Sequence, residues 1–423
     1  MENFVNVRNE RETLDVLIVG AGPAGFMAAM SAAGFSSENS RKILILEKMP
    51  TPGRKLLIAG SRRCNLTHAG NIQDFFSRYG QKAKERFIKP ALLNFTNLEL
   101  LQFFQKNGLP CVQLNDGKLF PKSERSRDVL ELFLRLCAEF HVRIQCGEAV
   151  VSAEKSDDGS FLVQTETGKT FRTRNLIVSV GGKSFPATGS TGDGERFAKQ
   201  FGHTLVPLRP ALAPVTVSGY SFASCAGISF PDLPISLWRD GRKIAQRTGD
   251  VLLTHRGLSG PGILDFSREF QRGDILRLAF APGLSDPQFA EMLQQNPQRE
   301  IGNLIRTAFG ISGRFVSAVL EQSGMNDSLK CWQISRKTRK TLITFLTEFP
   351  FEIQSVGSFR EAMVTAGGIA LSEIDRQTME SRKVPGLFFA GEVLDVDGDT
   401  GGFNLQFAFS SGFLAGKSAS LAS

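Results

Sequence analysis

A chain of 423 residues with 41% hydrophobic and 22% charged residues is long enough for more than one hydrophobic core, which excludes a disordered or fibrous protein. Six scattered cysteines and four histidines exclude a disulfide framework and give no metal-ligand spacing, so no metal site is expected. The net charge of +8 draws in anionic ligands but is too mild to imply a stable nucleic-acid partner. With no 18-residue apolar run and no signal pattern in MENFVNVRNERET, the expected location is cytoplasmic, without a membrane span.

The chain then opens with the apolar run LDVLIVG, the pattern Gly20-x-Gly22-x-x-Gly25, a small-residue helix, the second apolar run KILILE and Glu47 at its end. In a βαβ unit the first glycine permits the tight turn out of the strand. The second lets a pyrophosphate approach the backbone, and the third lets helix and sheet pack closely. The phosphates sit on the unpaired amides of the helix start, and Glu47, 22 residues after Gly25, stands where a carboxylate accepts from an adenosine ribose. Strand, glycines, helix, strand and acid in this order predict a dinucleotide site, without deciding between NAD and FAD.

Lys48 to His68 breaks the periodicity and concentrates glycine and basic residues, among them Arg54, Lys55, Gly60 and Arg63. A basic loop there is placed to wrap back across a pyrophosphate. Cys64 and Asn65 follow; Asn65 is a candidate to touch a flavin edge, while Cys64 reads equally well as a core thiol. Helical patterns cover Ile72–Tyr79 and Leu98–Lys106, a hairpin turns at Asn115-Asp116-Gly117, and Ser126 is the expected N-cap of the next helix. Strands follow to Val180, and Gly181-Gly182 lets the chain pass close to a seated cofactor; Asp193 reads as a helix cap or as an acid that orients a polar ligand.

From about 206 the texture changes to short strands and turns, with Asp240-Gly241 as a hairpin turn. The loop THRGLSGPG carries His255, the leading proton-transfer candidate because histidine titrates nearest neutrality, and Arg256, suited to an anionic substrate. Helices are expected at about 285–347, with a basic run Arg336-Lys337-x-Arg339-Lys340 that lacks aromatic interleaving. The chain closes on a buried strand entering Gly391-Glu392, an acidic loop with Asp397, and Gly401-Gly402 ahead of a helix from about Asn404 and Leu405. A helix start preceded by glycines is placed to donate amides to a flavin's pyrimidine carbonyls.

The segments GRKLLIAGSRRCNLT, GKLFPKSERSRDVL, GGKSFPATGSTGDG, LTHRGLSGPG, AMVTAGGIAL and AGEVLDVDGDTGGFNLQFAFSSG together resemble the bacterial aminoacetone-oxidase-like or BaiN/YhiN-type FAD-binding oxidoreductases. That group is related more distantly to the fumarate-reductase flavoproteins. The resemblance covers essentially the whole chain. It implies an α/β architecture: a Rossmann-like FAD-binding domain assembled from both chain ends, residues 1–205 and 351–423. An inserted β-rich domain, 206–350, carries a small helical subdomain at about 285–340.

Carried over by position, the resemblance implies that Gly20, Gly22 and Gly25 hold the pyrophosphate, and Glu47 and Lys48 the adenosine end. Arg54, Lys55, Gly60, Arg63, Cys64 and Asn65 would line the loop near the flavin. Gly391 and Glu392 would reach the ribityl–phosphate region, and Asp397, Gly401, Gly402, Asn404 and Leu405 would face the isoalloxazine. One departure stands out: where the family usually reads SGGGRCN or SGKGRCN, this chain has Arg62 in place of a glycine. The implied activity is hydride transfer between a small organic substrate and flavin N5. With no second glycine fingerprint of comparable quality, NAD(P)H would dock only transiently, or oxygen would serve as partner. The alternatives are a flavin-dependent RNA-modifying enzyme and a non-catalytic FAD-binding structural or interaction protein.

Overall fold

The computed structural model describes residues 12–422; the segment read for a targeting signal falls almost entirely outside them. The chain divides into two compact units, one of residues 1–209 and 363–423, the other of residues 210–362.

The first unit starts with β1 (Thr13–Val19), α1 (Pro23–Ala32), β2 (Ile43–Glu47) and a short helix α2 (Arg54–Ile58) inside the segment expected to be loop. There follow β3 (Thr67–His68), α3 (Ile72–Phe75), α4 (Lys82–Asn94), α5 (Asn97–Lys106), β4 (Cys111–Gln113), β5 (Lys118–Pro121) and α6 (Ser126–Glu139). Strands β6 (Arg143–Cys146), β7 (Val150–Lys155), β8 (Phe161–Thr165) and β9 (Thr170–Val178) precede α7 (Asp193–Gln200) and β10 (Leu205–Ala211). The second unit holds β11 (Val215–Val217), β12 (Ser229–Arg239), β13 (Arg242–Leu253), β14 (Gly257–Ser259), α8 (Pro261–Phe266) and β15 (Ile275–Leu278). It continues through α9 (Asp286–Gln295), α10 (Ile301–Phe309), α11 (Gly313–Gln322), α12 (Arg336–Glu348) and β16 (Phe349–Val356). The chain then returns to the first unit with β17 (Val364–Ile369), β18 (Leu387–Phe389) and α13 (Phe403–Leu421).

The main sheet of the first unit runs β6-β2-β1-β9-β8-β7, with β18 also pairing β9. Its centre is parallel, β2, β1, β9 and β18 side by side. Strands buried on both faces must be apolar throughout, and Val16–Val19 and Ile43–Leu46 are. Helix α1 is buried from Ala24 to Ala32, because α13 covers the side the sheet does not. A Cβ on Gly412 would fall 2.2 Å from the Ala24 carbonyl oxygen, and one on Gly416 2.1 Å from that of Ala28. Glycine four residues apart is thus what lets α13 lie against the α1 backbone.

In the second unit β11-β14-β13-β12-β15-β16 close into a barrel, so no strand edge is left open. The β12–β13 hairpin turns at Asp240-Gly241, both at positive φ (+49° and +75°), as a two-residue hairpin turn of the primed type requires. Helices α9 to α12 lie between β15 and β16 in sequence and add Phe289, Leu304, Phe315 and Leu342 to the barrel's apolar core. Strand β16, in the stretch expected to begin the return to the nucleotide-binding part, pairs β11 and β15 in the barrel.

Candidate functional site

Strand β1 leads into Gly20 at φ +104°, whose amide donates to Leu46 O at 2.8 Å. A Cβ on Gly20 would meet Ser179 O at 2.6 Å, and one on Gly25 would meet Gly20 O at 2.0 Å. Both glycines are therefore fixed by backbone. Gly22 has nothing within 4 Å of where its Cβ would stand and caps α1 without any side-chain hydrogen bond. The helix's own bonding begins with Phe26 N to Gly22 O, 2.9 Å, so the amides ahead of it have no intrahelical acceptor. An open cradle before unpaired amides fits a pyrophosphate.

Glu47 stands at the end of β2, as expected for a ribose contact. Its carboxylate accepts from Ala21 N and Met49 N, both at 2.9 Å, which ties the acid to the glycine turn. Lys48 donates to Thr191 Oγ1 at 2.6 Å and Asp193 Oδ2 at 2.5 Å. Asp193 is not the cap of α7: Gly192, left-handed at φ +88°, takes that place, and the Asp193 carboxylate answers Lys48. Gly181, also left-handed at φ +72°, enters the same loop. Ser126 is likewise not a cap; Arg125 precedes it at the cap, and the Ser126 hydroxyl donates to Leu57 O at 2.7 Å.

The C-terminal segment folds onto this turn. Gly391, at φ +76°, would set a Cβ 2.9 Å from Ala24 Cβ, so it sits on the first turn of α1. Its neighbour Glu392 accepts from Lys55 Nζ and from Thr365 N, each at 2.7 Å. Arg54, beside Lys55, is half-buried at the start of α2.

At the start of α13, Gly401 and Gly402 have φ of +116° and +98°, and a Cβ on Gly402 would collide with the Thr67 backbone at 2.6 Å. The Asn65 amide donates to Thr67 O at 2.9 Å and Leu119 O at 3.2 Å and accepts from Gly402 N at 3.1 Å. Asn65 is thereby a brace between β3, β5 and α13. Asn404 shapes the acidic loop, accepting from Gly398 N at 2.8 Å and donating to Gly398 O at 2.9 Å; Leu405 follows, half-buried. Beside Gly402 the buried Thr67 hydroxyl has no hydrogen-bond partner among the described residues, which fits a polar ligand edge at this point.

The remaining loop residues fall differently. Gly60, Ser61 and Arg62 are consecutive left-handed residues (φ +56°, +57° and +70°), and Cys64 is another at +63°. Arg62 thus keeps the positive φ that a glycine would supply and carries its strain, with the side chain in solvent. Arg63 lies over the Phe120 ring at 4.8 Å and 3.7 Å from Glu124. Cys64 is fully buried, and burial pushes its thiol far above the usual range. Asp397 is buried, and Lys84 from α4 donates to it at 2.8 Å and to Asp395 at 2.9 Å. Sequence reasoning passed over Lys84, one lysine among several on α4 with carboxylate partners near the other end of the chain. Among the described residues no group of three His, Cys, Asp or Glu is arranged to hold a metal, and no helix is long and apolar enough to cross a membrane.

His255 and Arg256 belong to the second unit. They are exposed at the β13–β14 turn, where Arg256 reaches Glu361 at 3.3 Å.

Parallel sheet, glycine turn and C-terminal helix start together define a Rossmann-type α/β fold. The chain belongs to the family described as HI0933-like protein Rossmann domain, whose pattern matches residues 14–418. It is 30% identical over 401 residues to a ribosomal RNA dihydrouridine synthase of Escherichia coli K12, covering 95% of this chain and 96% of that protein. It is also 30% identical over 412 residues to a 3-dehydro-bile acid delta(4,6)-reductase of Clostridium scindens, covering 95% and 98%. Among solved structures, a 3-ketosteroid delta1-dehydrogenase from Sterolibacterium denitrificans shares the fold at TM-score 0.52 and 11% identity, covering 97% of this chain and 100% of the other.

Proposed function

We propose that this protein is an FAD-dependent reductase that passes a hydride from flavin N5 to a carbon of an organic substrate, with NAD(P)H docking transiently as the donor that restores the reduced flavin. FAD, when bound, supplies hydride chemistry that no amino-acid side chain provides. The observation that carries this reading is the meeting of Gly391 with Ala24 on the first turn of α1, which gives one cradle built from both ends of the chain. In it Gly20, Gly22 and Gly25 admit the pyrophosphate and Glu47 takes the ribose. The first-turn amides of α13 would stabilise negative charge on a flavin ring held there. Asn65 acts by holding Gly402 in place. His255 is the proposed proton donor and Arg256 the proposed anchor for the substrate.

The names of the two relatives favour reduction as the direction. A dihydrouridine and a delta(4,6)-reductase both imply saturation of a carbon–carbon double bond, so an electron-poor alkene is the substrate class we assign. A second reading, modification of a uridine within RNA, draws on the dihydrouridine synthases of Escherichia coli and Haemophilus influenzae. The test is anaerobic stopped-flow of holoprotein. NADH or NADPH is expected to bleach the flavin, and a conjugated enone or a uridine-containing ribosomal RNA fragment to restore its colour. Bleaching reversed by the RNA alone selects the second reading. A reduced flavin that none of these acceptors reoxidises overturns the reductase in favour of a non-catalytic flavoprotein.

A further inference from the structure

We propose that a cleft on the barrel is an oxyanion-binding site. The cleft, of about 610 Å³, is lined by His255, Arg256, Arg272, Thr216, Ser355 and Tyr220 among others, and no carboxylate lines it. Three separate elements bring these groups together, and each is tied down. The His255–Arg256 turn is closed by Thr254 N to Gly257 O at 2.8 Å and fastened to β11 by Val217 N to Arg256 O at 3.1 Å. Thr216 and Ser355 face each other across the β11–β16 ladder with hydroxyls 2.7 Å apart. Arg272 precedes Gly273, whose amide donates to Ile353 O at 2.9 Å.

Two of these groups have no side-chain partner. Among the described residues neither His255 nor Arg272 makes an ion pair or a side-chain hydrogen bond. The Arg256 pair with Glu361 joins side chains 76% and 42% exposed, a contact worth under about 1 kcal/mol in water, so most of its donors stay available. Two guanidinium groups and an imidazole in one concave, acid-free lining focus a positive field. The guanidinium fork matches the paired oxygens of a phosphate or carboxylate, and the hydroxyl pair adds a donor. A cation would be repelled, and an apolar ligand would strip water from these donors without replacing it. The ligand is therefore a phosphate or carboxylate carried by the substrate, by a cofactor or by a polynucleotide. Only its connection to turnover rests on the functional reading above.

The experiment titrates the full protein with inorganic pyrophosphate while following the His255 ring-proton signals, one of four histidines, assigned with His255→Gln. A saturable shift is expected. It should weaken about tenfold or more in Arg256→Ala and in Arg272→Ala, and weaken with added salt. Competition by NADP⁺ would identify a cofactor phosphate as the source, and competition by a uridine oligonucleotide a phosphodiester. No saturable shift, or equal affinity in the double variant, overturns the proposal. Because binding is read without turnover, a flavin that fails to bleach leaves this result standing, and absent anion binding leaves the flavin reading standing.

Discussion

Both units use glycine to bring backbones together, but over different spans of chain. In the barrel the partners are adjoining strands and turns: a Cβ on Gly260 would fall 2.6 Å from Asp250 O, and one on Gly249 2.7 Å from Gly262 Cα. In the nucleotide-binding unit they come from opposite ends, Gly412 on Ala24, Gly416 on Ala28, Gly402 on Thr67. These barrel contacts join segments only about ten residues apart. The site of the other unit exists only where distant segments meet, so its stability and its ligand affinity should rise and fall together.

The largest expected effect tests that coupling. Gly412→Val drives a side chain into a carbonyl that cannot retreat, and should cost about 4 kcal/mol and most of the bound flavin. Gly241→Ala, at φ +75° in open space on the barrel hairpin, should cost about 1 kcal/mol and leave flavin content unchanged. Urea midpoints and the flavin-to-protein absorbance ratio measure both, and equal losses would break the comparison.

Next comes Lys84→Met, which takes the ammonium away from Asp395 and the buried Asp397. We expect about 3 kcal/mol of destabilisation and weaker flavin retention. Lys330→Met, at the exposed pair with Glu300 (41% and 39% exposed), should stay within about 0.5 kcal/mol.

A smaller effect depends on pH. Burial by itself would raise the Glu373 carboxyl, but the Lys383 ammonium and the Thr204 amide and hydroxyl outweigh it and hold the pKa at about 2, against 4.5. A depressed carboxylate stabilises fully above its unfolded pKa and loses that contribution as pH falls from about 4.5 towards 2. Glu373→Gln should therefore cost about 1 kcal/mol at neutral pH, after allowance for solvent screening. The gap to the parent should narrow steadily in denaturation curves taken below pH 4.5.

The smallest change is a gain. Arg62→Gly removes left-handed strain at φ +70° and should stabilise by about 0.5 kcal/mol, because glycine's larger unfolded-state entropy offsets part of the relief. Differential scanning calorimetry on matched holoproteins would resolve it.

How much was legible follows the same division. Gly20 and Gly25 could be read directly, because the tight turn out of the strand and the close packing of helix on sheet leave only glycine as an option. The Asp240-Gly241 turn could be read because its chemistry is local. The role of Gly412 and Gly416 could not: small residues inside a helix announce a close approach but not by what. Lys84 was invisible for the converse reason, since an amphipathic helix explains a lysine without any partner. Ser126 and Asp193 misled because a polar residue one position inside a helix looks, in sequence, like the residue that caps it. Arg62 gave a warning in sequence. The backbone resolves it by keeping the left-handed turn and leaving the guanidinium outside.

The α1–α13 seam also orders events in time. A chain made from its N-terminus presents α1 long before Gly412 and Gly416 exist, so the phosphate-cradling turn must wait, with one flank of α1 uncovered. The barrel, whose last strand ends at Val356, can close in the interval. Until the last helix arrives, that uncovered flank is apolar surface open to a chaperone or to a neighbouring nascent chain.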